Sequence, residues 1–174
     1  MTWAIFRKEL REQWLFAAVL VALGAAALAA LGQLIGPPSY NRLDARPVAA
    51  LLMAVAGGIV CGAMLLAGER ETGTLPFLDT LPVSRSRLWA AKATFGVVLT
   101  LAQAGLLMGL TWGMGYLDGE DRVGWSIGII GGALLAYVWG LYGSASGRTV
   151  LGAVGRGLMA MFVAGAGLLL VKVP

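Results

Sequence analysis

Few residues in this chain could carry out acid–base chemistry or hold a metal ion. The 174 residues include no histidine, which is the commonest metal ligand and a frequent general base. The single cysteine, Cys61, lies inside an apolar run and cannot form an intramolecular disulfide. One acidic cluster, Asp118, Glu120 and Asp121, lacks a recognisable spacing of cation ligands, so a solvated turn is the better interpretation. We therefore expect no catalytic residue, no metal site and no cofactor.

The sequence also lacks the glycine-rich loop with which many ATPases hold phosphate groups. No segment fits the pattern Gly-x-x-x-x-Gly-Lys-Ser/Thr, so we do not expect this chain to hydrolyse ATP itself. The net charge of +4 does not indicate a nucleic-acid partner, because the basic residues flank apolar segments, where membrane topology explains them.

The apolar segments are long enough to cross a lipid bilayer. Hydrophobic residues make up 59% of the chain and charged residues 13%, whereas an average soluble domain is about 25% charged. A hydrocarbon core about 30 Å thick needs roughly 20 apolar residues of helix. Five segments free of Asp, Glu, Lys and Arg are candidates: 14–35, 48–68, 93–117, 125–143 and the shorter 157–171. Helices are expected because each segment must satisfy its own backbone hydrogen bonds.

The predicted fold is an all-α membrane protein, a polytopic bundle of transmembrane helices that forms one domain over residues 1–174. Basic residues favour the cytoplasmic side of membrane proteins. Alternate connections on one side carry nine of them: Arg7, Lys8, Arg11, Arg70, Arg85, Arg87, Lys92, Arg148 and Arg156. The other side carries four: Arg42, Arg46, Arg122 and Lys172. This bias predicts a multi-pass protein of the cell membrane, with a cytoplasmic N-terminus and a cytoplasmic 69–92 loop.

Residues 1–13 form a separate feature. Trp3, Phe6, Leu10 and Trp14 recur every three or four residues and would make one apolar stripe on a helix. Such a helix tends to lie in the plane of the membrane interface. We predict an interfacial helix here, and the alternative is a charged flank that continues the first span.

The 69–92 loop contains signals for a short helix of its own. Gly73 should end the preceding helix, and Thr74 can cap a new one. Pro82 should stop this helix, and Ser84 can cap the helix that follows. The short helix, over Thr74–Leu81, would have an apolar face formed by Leu75, Leu78 and Leu81. Contact with a cytoplasmic partner is one interpretation of this face, and a simple connector on the membrane surface is the other.

Small and polar residues within the spans give weaker signals. Glycines at a spacing of four favour close helix packing, either within the bundle or between two copies: Gly105, Gly109, Gly113, Gly124, Gly128 and Gly132. The notable polar residues in the spans are Gln33, Thr100, Gln103 and Thr111. Any of them could line a transport path, but hydrogen bonding between helices is the better interpretation.

The order of these features resembles the permease subunits of ABC transporters in the type-2 exporter superfamily. Those subunits begin with a basic amphipathic helix, and the loop between their second and third spans carries a characteristic motif. The matching residues here are Glu69 or Glu71, Gly73-Thr74-Leu75, Leu81-Pro82-Val83-Ser84-Arg85 and Lys92. The resemblance is closest over residues 1–115 and most specific in this loop.

The resemblance implies that the loop forms a coupling helix that docks on a separate ABC ATP-binding subunit, and that a second permease subunit completes the path. The residues it assigns to partner coupling are Glu69, Glu71, Gly73, Thr74, Leu75, Leu78, Leu81, Pro82 and Arg85. This sequence departs from the family in having Pro76 at a position that is more often helix-friendly, and in having five predicted spans where the family has six. A missing last span is therefore expected.

Three functions remain open from the sequence alone. The leading hypothesis is the permease subunit of an ATP-driven exporter. The alternative is a non-transporting membrane anchor or assembly protein that binds a cytoplasmic partner through the same loop. A membrane-embedded enzyme ranks third, because it would want histidine or acidic residues inside the membrane, and the predicted spans contain neither.

Overall fold

A computed structural model describes residues 2–35, 45–73, 84–115 and 121–171. This part of the chain is helical and contains no strand. Its helices are α1 (Thr2–Ile35), α2 (Ala45–Glu71), α3 (Arg85–Gly113), α4 (Asp121–Ser146) and α5 (Val150–Val171). The predicted all-α fold is confirmed.

Three helices in the described ranges are long and apolar enough to cross a membrane, namely α2, α3 and α4. Shorter apolar stretches, Ala18–Ala30 in α1 and Val150–Gly165 in α5, lie where the first and fifth spans were predicted. The helices also begin earlier than the hydropathy pattern indicates. Helix α5 starts at Val150 because the Thr149 hydroxyl accepts a hydrogen bond from the backbone N–H of Gly152, as a helix N-cap does.

Helix α1 is continuous over its 34 residues. At 1.5 Å per residue it is about 51 Å long, which exceeds the roughly 30 Å of a hydrocarbon core. The separate helix predicted over 1–13 is not a distinct element, because α1 has no end near residue 13. Residues 2–13 continue the first span, as in the alternative interpretation, and no Gly or Pro precedes Gly24 to interrupt them. Their position at the membrane interface stays a prediction.

Glycines bring α2 and α4 into direct backbone contact. A Cβ atom added at Gly58 or Gly62 would overlap the carbonyl oxygen of Ala133 or Tyr137, and one added at Gly140 would overlap that of Ile59. Only residues without side chains permit this approach, as in other tightly packed membrane helices. Helices α2 and α4 therefore pack backbone to backbone, and Gly143 makes the same kind of contact between α4 and α5.

The glycine stripes singled out in the sequence do not make these contacts. No described atom lies within 4 Å of a Cβ added at Gly105, Gly109, Gly113, Gly124 or Gly128. Gly132 is the exception, since it faces the side chains of Leu51 and Val55. Gly105, Gly109, Gly113, Gly124 and Gly128 thus pack against no described part of the bundle. Packing between two copies stays a prediction for them.

Two apolar clusters fill the space between α2, α3 and α4. The near cluster lies toward the end of the bundle at which α2 stops, which we call the loop end. It contains Cys61, Leu65 and Tyr137, and the Tyr137 hydroxyl donates a hydrogen bond to the carbonyl of Ala93 over 2.8 Å. The far cluster, nearer the opposite end, contains Leu28, Ala50, Ala54, Ala104, Leu107, Ile129 and Ala133.

Candidate partner-coupling site

Helix α2 ends in three consecutive charged residues, Glu69, Arg70 and Glu71, immediately before the 74–83 segment. The helix stops there because Gly73 adopts a φ of +70°, a conformation that favours glycine. The backbone N–H of Gly73 donates to the carbonyl of Arg70 over 3.3 Å and closes the last turn. The end predicted from Gly73 is confirmed. Each of the three charged side chains contacts a different helix.

Glu69 joins α2 to α3. The Lys92 ammonium donates to the Glu69 carboxylate over 2.6 Å, and both side chains are at least nine-tenths buried. A charge of either sign is costly to bury alone, and a close opposite charge offsets much of that cost. The two charges therefore fix the start of α3 against the end of α2.

Arg70 joins α2 to the end of α4. One guanidinium nitrogen donates to the carbonyls of Ser144, Ala145 and Gly147 over 3.2, 3.0 and 2.7 Å. The last carbonyls of a helix have no partner within the helix, and the helix dipole makes this end favourable for a cation. Arg156 of α5 donates to a neighbouring carbonyl, that of Ser146. Two guanidinium groups thus cap α4.

Ser144 of α4 also joins the end of α4 to α2. Its side-chain oxygen is buried and accepts hydrogen bonds from the backbone N–H groups of Leu66 and Ala67, over 2.9 and 3.0 Å. These bonds hold the end of α4 against α2 one turn before the charged residues.

Glu71 joins α2 to the start of α5. Its carboxylate accepts a hydrogen bond from the backbone N–H of Val150 over 2.9 Å. The first N–H groups of a helix lack partners within the helix, and the positive end of the helix dipole favours an anion there. The three residues that end α2 therefore hold α3, α4 and α5 together at the loop end. We call Glu69, Arg70 and Glu71 the end clamp.

The structure brings together only some of the residues assigned from the sequence. Glu69, Glu71 and Gly73 lie together at the end of α2, and Arg85 is the first residue of α3. Ser84 occupies the predicted N-cap position of α3, but its hydroxyl makes no capping hydrogen bond. The remaining assigned residues lie outside the described ranges: Thr74, Leu75, Leu78, Leu81 and Pro82. The coupling helix predicted over them stays a prediction.

Sequence reasoning missed Arg70 and Ser144 as functional residues. Arg70 entered only as a positive charge in the topology count, and nothing in its neighbourhood marks the three carbonyls that it binds. A clue is available in the chain: α4 ends in Ser-Ala-Ser and has no basic residue in its last turn. A cation from another helix is one way to satisfy the last carbonyls of α4.

The chain matches a known family of membrane proteins. The family model described as ABC-2 family transporter protein matches residues 6–163, which include most of every described helix. The match extends through α4 and into α5, beyond the 1–115 region in which the resemblance is closest. Neither a curated protein nor a solved structure matches the chain. The chain therefore belongs to the ABC-2 transporter family, whose members are membrane permease components of ABC transporters.

Proposed function

We propose that this chain is the permease subunit of an ATP-driven exporter in the cell membrane. It docks on a separate ATP-binding subunit through its 69–92 loop and works beside a second permease subunit. The observation that carries the proposal is the end clamp, in which three successive residues before the loop each hold a different helix.

The clamp explains how one loop can act on several spans. The 74–83 segment is joined directly to the end of α2 and to the start of α3. A displacement of α2 reaches the end of α4 through the hydrogen bonds of Arg70, and the start of α5 through Glu71. A partner that pushes on the loop therefore moves four helix ends together. A connector with no partner would not need bonds to three helices.

The location of the buried charges favours energy supplied from outside the membrane. Among the side chains whose burial the structure describes, the buried charged ones are Arg46, Glu69 and Lys92, and each lies within about two turns of a helix end. Proton- and ion-coupled transporters commonly place acidic or basic residues within the spans. ATP hydrolysis on a separate subunit fits this arrangement better, and it agrees with the absence of a phosphate-binding loop in this sequence.

A single substitution in the loop tests the docking step. Leu78→Asp places a charge on the predicted apolar face of the coupling helix. An interface anchor can contribute about 2 kcal/mol or more, so we expect roughly a thirtyfold loss of affinity for the ATP-binding subunit. The measurements are copurification of the two subunits and ATP hydrolysis in proteoliposomes. Membrane insertion should be unaffected, because residue 78 lies outside every predicted span.

Val123→Asp is the matched control. Val123 is exposed in the first turn of α4, at the opposite end of the bundle, so the same charge there should leave binding unchanged. Normal binding and ATP hydrolysis by Leu78→Asp would refute the coupling role. Loss of a bound partner that has no ATPase activity would favour the membrane anchor or assembly protein instead.

A further inference from the structure

A polar layer separates the near cluster from the far cluster. Buried residues recur every three or four positions along α3 and form one side of the helix. They are Lys92, Phe95, Gly96, Thr100, Gln103, Ala104, Leu107 and Thr111. Tyr137 of the near cluster lies against Gly96, while Ala104 and Leu107 belong to the far cluster. Thr100 and Gln103 lie between these contacts and are 1% and 3% exposed.

The amide of this layer is unsatisfied. Both amide atoms of Gln103 are buried without a hydrogen-bond partner in the described part of the chain, whereas the Thr100 hydroxyl lies beside the thiol of Cys61 on α2. Hydrogen bonding between helices, the better interpretation from the sequence, is therefore absent at Gln103. Thr111 differs, because its hydroxyl donates to the Met108 carbonyl in its own helix. A buried amide without partners is unfavourable, and more so where lipid excludes water.

The Gln103 amide occupies a notch on α2. A Cβ atom added at Gly57 would overlap all three terminal atoms of the Gln103 side chain, so the amide fills the space that Gly57 leaves free. Gly57 lies near the middle of α2, and Gln103 lies beyond the middle of α3. The layer thus sits roughly 16 Å along α3 from Lys92, and about the same distance along α2 from Arg46. Lys92 and Arg46 are therefore too distant to contact the polar layer.

We propose that Gln103 and Thr100 form a hydrogen-bonding site on the path of the transported compound, which opens when α2 and α3 separate. The inference rests on the proposed function. The site takes uncharged groups that donate and accept hydrogen bonds, such as hydroxyls, amides or water. Its own atoms are an amide and a hydroxyl, with no charge nearby to select an ion. In the structure described here, which we take as the closed state, Gly57 lies against the amide.

Separation of α2 and α3 at the layer is compatible with the end clamp. Gly57 lies about 18 Å along α2 from Glu69, so the ion pair between Glu69 and Lys92 is retained, whereas α2 and α4 are held by direct glycine contacts. Separation of α3 from α2 exposes the unsatisfied amide to a polar partner. A hydrogen bond between that partner and the Gln103 amide stabilises the open state and lowers the free energy of opening.

Reaction of an introduced thiol tests whether water reaches the site. In a Cys61→Ala background, Gln103→Cys and Leu107→Cys are treated with a cationic methanethiosulfonate reagent in lipid nanodiscs. Leu107 is the matched control, because it is one turn further along the same buried side of α3 and fully buried. We expect Gln103→Cys to react at least about tenfold faster, equivalent to about 1.4 kcal/mol in the free energy of opening. Thr100→Cys should behave like Gln103→Cys and replaces it if that variant does not fold. Equal rates at the site and at Leu107→Cys would overturn the proposal.

A second variant tests whether the Gln103 amide destabilises or stabilises the closed bundle. Gln103→Met keeps the length of the side chain and removes its polar atoms. We expect the thermal midpoint of unfolding to rise by about 2 °C or more, and transport to slow. A lower midpoint would mean that the amide stabilises the closed bundle, which would overturn the proposal. Neither thiol reaction nor unfolding requires the ATP-binding subunit. A normal Leu78→Asp variant would therefore refute the coupling and leave these results standing.

Discussion

Replacing Lys92 with methionine removes one half of the ion pair that joins α2 to α3. The ammonium of Lys92 and the carboxylate of Glu69 are 2.6 Å apart, and their side chains are 5% and 9% exposed. Methionine retains most of the volume of lysine without its charge. The change therefore leaves the Glu69 carboxylate buried beside an apolar group.

The expected loss of stability is large for one substitution. Removing one partner of a buried ion pair commonly costs about 3–5 kcal/mol, because the other charge stays buried. Replacing both charged groups with neutral ones of similar size is much less harmful. We expect Lys92→Met and Glu69→Gln each to lose about 3 kcal/mol. The double variant should lie within about 1 kcal/mol of the natural chain.

Unfolding by SDS titration from mixed micelles measures these free energies, and the four proteins form a double-mutant cycle. Arg87→Met is the matched control, because Arg87 is an exposed basic residue one to two turns earlier in α3. Exposed substitutions usually change stability by about 0.5 kcal/mol or less. The reasoning is refuted if Lys92→Met resembles the control, or if the losses of the two single variants simply add in the double variant.

Three further outcomes are expected. Gly62→Ala should destabilise the chain by about 2 kcal/mol, because its Cβ would meet a backbone carbonyl of α4, whereas Gly131→Ala faces open space and should not. A destabilising Gly131→Ala would contradict this. Arg70→Met removes the donor to the three carbonyls at the end of α4, so thermal stability should fall; an unchanged midpoint would argue against the clamp. With Cys61 removed, an impermeant thiol reagent on intact cells should label a cysteine at Asn41 and not one at Ser84, and the reverse pattern would invert the predicted topology.

Much of the loop end was predictable because its determinants are local. Gly73 ends α2 through its own φ angle, and Ser84 marks the start of α3. Hydropathy located all five helices, since a helix in lipid must be apolar over most of its length. It placed the start of α5 too late, because the first turns of that helix continue beyond the apolar segment and include Arg156. Hydropathy detects the membrane, whereas capping residues decide where a helix begins.

The partners of the end clamp could not be predicted in this way. Arg70 binds carbonyls more than seventy residues along the chain, and Glu71 binds the N–H of Val150. Such pairs depend on which helix ends lie side by side. Hydropathy gives the order of the spans but not their arrangement in the bundle. The Glu69–Lys92 pair was easier to anticipate, since both residues flank the same loop and both belong to the motif that the family resemblance identified.

The sequence also could not predict which glycines pack against another helix. In a soluble protein, the face of a helix that packs inside is more apolar than the face in water, so its glycines can be assigned to the core. In lipid both faces are apolar, and hydropathy cannot distinguish them. The stripe through Gly105, Gly109 and Gly113 therefore has the same spacing as a packing face, although it faces open space in the described chain. Gly58 and Gly62 have that spacing too, and they carry the contact between α2 and α4. Spacing alone identifies a surface that permits close approach, and the choice of neighbour is made by the rest of the bundle.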